Sequence, residues 1–357
     1  MKRILIVRTS AIGDVVFASP IAAALRRSYP HAHIAWLVEP GIEALLAADP
    51  CVDQRILWPK SEWKALWRSG RRLEVLRQVL ALRRRLRAER FDTVLDLQGL
   101  LKSGLLAWLT GAPRRIGLGS REGSQWLMTE VLPRGGDVAR ISSEYLHLAQ
   151  QLGLDCGDDV DCVNFVPRLH LDPQAEAAAL AKLAGQGLAP GGYAVFAAFT
   201  TRPQKHWFDD SWQRLAQLVQ RQTGLVPLLL GGPADRAAAA GLAGAAPNLI
   251  NLVGQTDLSE AAALIRHAGA VIGVDTGLTH MGIAFEVPTV AIFGSTCPYT
   301  VTCRDNARVI WLGLACSPCR RNPTCNGAWT CLRDISPERV MLELQMALAT
   351  VEPEPPA

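Results

Sequence analysis

Short apolar runs that stop at a polar turn and give way to a helix-compatible stretch recur along this chain, and that alternation leaves few folds open. Residues 4–7 read as a buried strand, and 15–28 as a helix ended by Tyr29 and Pro30. Segments 34–38 and 93–97 are further strands. Between them, 71–90 is helical, with Val75, Val79, Leu82 and Leu86 on one apolar stripe. The pattern fades over 153–190, where Asp, Gly and Pro gather, and then restarts. Strands are expected at 193–199, 226–230, 248–253, 270–274 and 289–293. Helices are expected at 212–223, in the alanine-rich 234–246, at 259–268 behind a Ser259 cap, and at 337–349 with Pro337 in the first turn. This grammar builds parallel sheets with helices on both faces. A length of 357 residues exceeds what one core usually holds, so two successive doubly wound α/β domains are expected.

Composition excludes several classes. Hydrophobic residues make up 49% and charged ones 20%, a globular balance and not a disordered one. No uncharged run approaches the ~20 residues of a membrane span, and no signal peptide is apparent after Met1-Lys2-Arg3. A cytoplasmic protein is expected, with a disordered tail from Val351. The net charge of +4 is unevenly placed. Between Arg55 and Arg90 there are 12 basic and 3 acidic residues, a local +9, so the remainder carries −5. If the protein touches a membrane, this basic face makes the contact. The other reading of the segment is a solvated helix face.

Ligands of open α/β sheets sit beyond the carboxyl ends of the strands. The polar clusters lie there, at 9–14, 98–102, 200–205, 231–235 and 275–280. Two sheets facing each other across a cleft would bring these loops together. Segment 271–285 is the most informative: an apolar run, then Asp275, Thr276 and Gly277, then His280 in a helix-compatible stretch. A helix start offers free backbone N–H groups and a positive dipole end, which suits phosphate. A plain helix cap is the alternative for Asp275. Residues 9–14 match neither a dinucleotide fingerprint nor a P-loop. Asp14 reads as an N-cap or as a general base on an attacking hydroxyl. Thr200, Thr201, Arg202 and Lys205 in a Pro-bearing turn suit a pyrophosphate, or are a solvated basic loop. Asp235, past the Gly231-Gly232 turn, suits a ribose diol, a helix cap, or both.

The motifs T-S-A-I-G-D, D-L-Q-G-L-L-K-S, T-T-R-P-Q-K-H-W, G-G-P-x-D and V-D-T-G-L-T-H, in that order from residue 3 to about 300, resemble glycosyltransferase family 9. These are the heptosyltransferases of the lipopolysaccharide inner core, and the likeness is greatest to the heptosyltransferase I branch, which acts on a Kdo sugar of lipid A. The resemblance implies a GT-B fold: an acceptor domain over 1–168, a nucleotide-sugar domain over 169–335, and a helix over 336–350 returning to the first domain. It implies ADP-heptose as donor and Kdo-lipid A at the cytoplasmic face of the inner membrane as acceptor. It implies inverting transfer with no metal required, and no nucleic-acid partner. Position by position, Asp14 becomes the catalytic base. Lys205, with Thr200 and Thr201 beside it, holds the diphosphate. Asp275 binds heptose hydroxyls, and Thr276, Gly277 and His280 contact phosphate. Asp235 stands where the family has a glutamate at the ribose. Lys60, Lys64, Lys102 and Arg121 fall near the acceptor-binding positions.

Cys316, Cys319, Cys325 and Cys331 depart from the heptosyltransferase I pattern and look more like the C-terminal region of heptosyltransferase II and related protein heptosyltransferases. Four thiols this close in a cytosolic chain suit a structural Zn or Fe site better than disulfides, with free thiols the other reading. Two alternatives to the Kdo transferase stay open. One is the same fold with another acceptor (a second core heptose or a protein) or another sugar. The other is a non-catalytic sugar-nucleotide-binding protein.

Overall fold

The computed structural model describes residues 1–157, 165–320 and 322–350. The tail after Thr350, Cys162 and Arg321 lie outside the described residues. The chain divides into two compact units, residues 1–137 with 142–170, and 138–141 with 171–357. The expectation placed the boundary at 168/169; the second unit resumes at Leu171. The short segment 138–141 joins the second unit, where Ile141 N–H donates to Val301 O at 2.9 Å.

The first unit runs β1 (Arg3–Val7), α1 (Ile12–Ser28), β2 (His33–Val38), β3 (Gln54–Leu57), α2 (Lys60–Arg68), α3 (Arg72–Ala88), β4 (Thr93–Asp96), α4 (Leu101–Leu109), β5 (Arg114–Leu118), β6 (Glu130–Leu132) and α5 (Ser143–Gln151). Its six strands are parallel in the order β3-β2-β1-β4-β5-β6. Ile4, Ile6, Ile34 and Trp36 pack with α1 and α5 on one face. Leu5, Val7 and Leu37 pack with α3 and α4 on the other. The α3 stripe is confirmed: Leu82 and Leu86 are buried, and Val75 and Val79 are half-buried.

The second unit runs α6 (Pro173–Gly185), β7 (Tyr193–Ala197), α7 (Asp209–Thr223), β8 (Val226–Leu229), α8 (Arg236–Gly244), β9 (Ile250–Asn251), α9 (Leu258–Arg266), β10 (Ala270–Val274), α10 (Gly277–Ala284), β11 (Thr289–Phe293), β12 (Ala307–Trp311), α11 (Thr330–Arg333) and α12 (Pro337–Ala349). Its strands are also parallel, in the order β12-β11-β10-β7-β8-β9. The helix α12, expected to return to the first unit, buries Val340, Met341 and Leu344 in the core of the second.

Some elements depart from expectation for local reasons. α6 falls inside the stretch that read as irregular. Asp172 caps it through Gln174 N–H and Ala175 N–H, and Pro173 takes the first turn, where its missing N–H costs nothing. The cap of α9 is Asp257, not Ser259; its side chain accepts from Glu260 N–H while Glu260 reaches back to Asp257 N–H. α1 begins three residues early, at Ile12, so Asp14 lies inside its first turn.

Candidate active site

In each sheet the strand order reverses direction beside the first strand, between β1 and β4 and between β7 and β10. That is the switch point at which open α/β sheets leave a crevice for ligands. Four of the five polar loops flank these two points, and the fifth follows β8, next to β7.

In the second unit, β10 ends at Val274 and α10 begins at Gly277, with Thr276 as an extended N-cap residue. Gly273 lets this corner close: a Cβ there would stand 2.1 Å from Thr279 Oγ1 and 2.7 Å from Ala197 Cβ. Asp275 is therefore not the helix cap. Its carboxylate faces three side chains. Lys205 Nζ lies 2.6 Å from Oδ2 and His280 Nε2 3.2 Å from Oδ1, and the Thr296 hydroxyl donates to Oδ2. A carboxylate only accepts, so His280 Nε2 carries the hydrogen, and Nδ1 meets the Tyr299 hydroxyl at 2.8 Å. Burial alone would push the Asp275 carboxyl up. The hydrogen bond and charge of His280, and then Lys205, outweigh it and hold the group well below the usual carboxylate range. Burial first, and then the Asp275 charge, raise the Tyr299 phenol well above its ordinary value and push the Cys297 thiol up to about 11. Both therefore stay protonated at neutral pH. The constellation is one fixed anion ringed by donors, beside a helix start with unpaired N–H groups.

The turn after β7 contributes Lys205 from a single 3₁₀ turn begun by Pro203. Thr200 Oγ1 lies 3.4 Å from Asp275 O, and Thr201 is exposed on the same turn. Asp235 is less engaged with this cluster. Its Oδ2 accepts from Gly232 N–H at 2.9 Å, which braces the glycine turn, and it makes no side-chain cap bond to α8.

In the first unit, Asp14 Oδ1 lies 2.7 Å from Arg8 Nη2, and Oδ2 accepts from Ala11 N–H at 3.0 Å. The Asp14 side chain keeps 44% of its surface exposed, while Arg8 is almost wholly buried. Arg8 Nη1 also donates to Leu97 O at 3.1 Å, linking the loops after β1 and β4. Across the same switch point Thr9 Oγ1 lies 2.8 Å from Gln98 Oε1. Gly99 is obligatory here, because its φ is +65° and a Cβ would stand 2.5 Å from Leu118 O.

Of the basic residues, Lys60 pairs with Glu39 at 2.8 Å, and Glu39 also accepts from Ser10 at 2.8 Å. Lys102 stands close to Lys60; burial first, and then Lys60, lower its ammonium from its ordinary value. Arg121 is exposed on a turn whose N–H donates to Gly99 O at 2.9 Å. Lys64 is exposed on α2 and joins none of these contacts. Reasoning from sequence missed Arg8, Glu39, Thr296 and Tyr299. Arg8, Glu39 and Thr296 follow β1, β2 and β11 within three residues, so the strand-end rule applied to every strand finds them. Nothing in the local sequence marks Tyr299.

Cys316, Cys319, Cys325 and Cys331 line one cavity of about 20 Å³ with Trp329 and Thr330. Burial first, and then its three neighbours, push the Cys331 thiol up. Among the described residues, no group of three or more His, Cys, Asp or Glu side chains is arranged to hold a metal ion.

Two parallel-sheet Rossmann-like units with their polar loops at the switch points define the GT-B class of glycosyltransferase fold. The solved structure of a glycosyltransferase family 9 protein from Veillonella parvula is similar over 98% of both chains, with a TM-score of 0.82 at 22% identity. The Escherichia coli heptosyltransferase WaaC with ADP matches 86% of this chain and 92% of its own, with a TM-score of 0.68 at 26% identity. Lipopolysaccharide heptosyltransferase 1 of Pseudomonas aeruginosa is 29% identical over 98% of this chain and 99% of its own length. The family model described as glycosyltransferase family 9 (heptosyltransferase) matches residues 79–330, well over half of the sequence. The chain belongs to this family, and it is a glycosyltransferase.

Proposed function

We propose that the protein transfers L-glycero-D-manno-heptose from ADP-heptose to the Kdo of the lipopolysaccharide inner core, with inversion, at the cytoplasmic face of the inner membrane. The observation that carries this is the ring of Lys205, His280 and Thr296 around Asp275 at the start of α10. It offers a cation and free N–H groups for a diphosphate, and a fixed carboxylate for sugar hydroxyls. The similarity to a heptosyltransferase solved with ADP supports the donor.

In this reading the second unit binds the donor. Lys205, Thr200, Thr201, Thr276, Gly277 and His280 serve the diphosphate, Asp275 the heptose, and Asp235 the ribose. The first unit binds the acceptor through Lys60, Lys64, Lys102 and Arg121, whose charges suit its carboxylates and phosphates. Asp14 takes the proton of the acceptor hydroxyl. The oxygen bonds to the anomeric carbon from the face opposite ADP, and the bond from that carbon to the phosphate oxygen breaks. Charge gathering on the departing ADP meets Lys205 and the α10 N–H groups. Arg8 holds one Asp14 oxygen, which fixes the orientation of the base.

Incubation with ADP-heptose and Kdo-lipid A, following ADP release and product mass, tests the reading. Stoichiometric ADP and heptosylated lipid are expected. Release only with an already heptosylated core or a protein acceptor would move the activity to another acceptor. No ADP release with any acceptor or sugar donor would leave a binding protein.

The four cysteines are proposed to hold a structural Zn or Fe ion. A cavity bordered by four sulfurs is one that a thiophilic cation would stabilise. Metal analysis of protein purified without added metal decides this, and a clearly substoichiometric content would leave them as plain thiols.

A further inference from the structure

The helices over one face of the first sheet carry a second apolar surface on their outer side. α3 faces the core with Leu82 and Leu86. At 3.6 residues per turn, Leu73 and Leu80 fall on the opposite side of the same helix and Leu76 on the flank beside them. They are 74%, 54% and 43% exposed. A helix laid on a sheet ordinarily turns polar groups outward there. Arg77 flanks this ridge, and one turn beyond Leu80 it continues as Arg84; both arginines are exposed. At the end of α2, Trp67 is 57% exposed, with the Arg72 guanidinium 5.1 Å from its ring. α4 shares the same core through Leu106 and Ala107, and it too exposes large apolar side chains, Leu105 and Trp108.

We propose that this outer surface of α2, α3 and α4 docks on an anionic phospholipid bilayer. Leucines and tryptophans beside arginines are what an interfacial surface requires: apolar groups enter the acyl boundary, guanidinium groups meet lipid phosphates, and indole rings sit at headgroup depth. Charge selects the partner. The segment 55–90 carries 12 basic and 3 acidic residues, so pressing two copies of the surface together would oppose like charges, whereas an anionic leaflet complements it. No helix among the described residues is long and apolar enough to cross a membrane, so attachment through this surface is interfacial. The inference deepens the proposed function and rests on its lipid-borne acceptor: Lys60 and Lys102, assigned to that acceptor, stand at the starts of α2 and α4.

The test compares wild type with the triple variant Leu73→Ser, Leu76→Ser, Leu80→Ser. Its positions are solvent-facing, so the thermal midpoint is expected to hold. Wild type is expected to sediment with phosphatidylcholine vesicles containing phosphatidylglycerol, less with pure phosphatidylcholine, and less again in high salt. The variant is expected to lose binding to the anionic vesicles by about tenfold or more. ADP release with a soluble, delipidated Kdo acceptor is expected to survive in the variant, and to fall with the acceptor embedded in vesicles. Wild type that ignores both vesicles, or a variant that binds as tightly as wild type, overturns the proposal. A change in oligomeric state of the variant without vesicles overturns it in favour of self-association. Vesicle binding by a wild type that releases no ADP with any acceptor would sink the transfer reading and leave the docking surface standing.

Discussion

Lys205 Nζ and Asp275 Oδ2 lie 2.6 Å apart, both largely buried, at adjacent strand ends of the second sheet. A buried ion pair gains little net stability, because desolvation offsets most of the attraction. Its place at two adjacent strand ends is better explained by ligand chemistry. A diphosphate draws on Lys205 and leaves Asp275 with lone pairs for hydroxyl groups. Lys205→Met is therefore expected to reduce kcat/KM by about 10²–10³ fold, the usual loss when one preorganised donor is removed. ADP affinity should fall with it. Steady-state kinetics and calorimetric ADP titration check this, and wild-type ADP affinity in the variant would remove Lys205 from the diphosphate site.

Asp14 is placed differently. It is partly exposed and anchored by Arg8 and by Ala11 N–H. Asp14→Ala is expected to lower kcat by about 10²–10⁴ fold. ADP affinity should stay nearly unchanged, because only proton transfer in the transition state is lost. Arg8→Lys, which keeps a cation beside the carboxylate, should retain more turnover than Arg8→Met. Equal losses in the two Arg8 variants would show that Arg8 supports packing and not the base.

How far the sequence could be read follows from what each element depends on. β10 and β11 match their expected bounds because strands buried on both faces are continuous apolar runs. β6 and β12 were missed because a short or half-polar strand owes its existence to a neighbour, as β12 does to β11. α6 was missed because Asp and Pro were read as breakers, when together they form an N-cap and a first turn. The positions of Asp14, Lys205, Asp275 and His280 in loops after strands were legible, because the strands before them are continuous apolar runs that stop at a polar turn. The pairing of Thr296 and Tyr299 with the Asp275–His280 couple joins residues about twenty positions apart, and no local pattern encodes it.

Acidity gives an independent check on Asp275. Its carboxyl is held below the unfolded value of 3.8, so the folded state keeps it ionised where the unfolded chain binds a proton. The stability this contributes is fully present above about pH 5 and is lost as pH falls through 3.8 toward the folded value. The urea midpoint of Asp275→Asn should lie below that of wild type by a constant amount from pH 7 to 5. The gap should then narrow below pH 4. A gap that is constant down to pH 3 would mean that Asp275 gains nothing from its partners.

Two glycine substitutions should act in opposite directions. At Gly273 an added methyl meets Thr279 Oγ1 at 2.1 Å and Ala197 Cβ at 2.7 Å. Thr279 is not free to move, because its hydroxyl donates to Val274 O at 2.7 Å. Gly273→Ala is expected to cost about 1–3 kcal/mol, the range for overpacking a filled core. At about 2–4 °C per kcal/mol for a domain of this size, the thermal midpoint falls by several degrees. Gly241, inside α8, has nothing within 4 Å of an added Cβ, and its φ is not positive. Gly241→Ala should stabilise by about 0.5–1 kcal/mol, since alanine loses less backbone freedom in a helix. Calorimetry of the two variants reads both signs in one experiment. A tolerated Gly273→Ala would mean that the β10–α10 corner, and with it the position of Asp275, is looser than this packing requires.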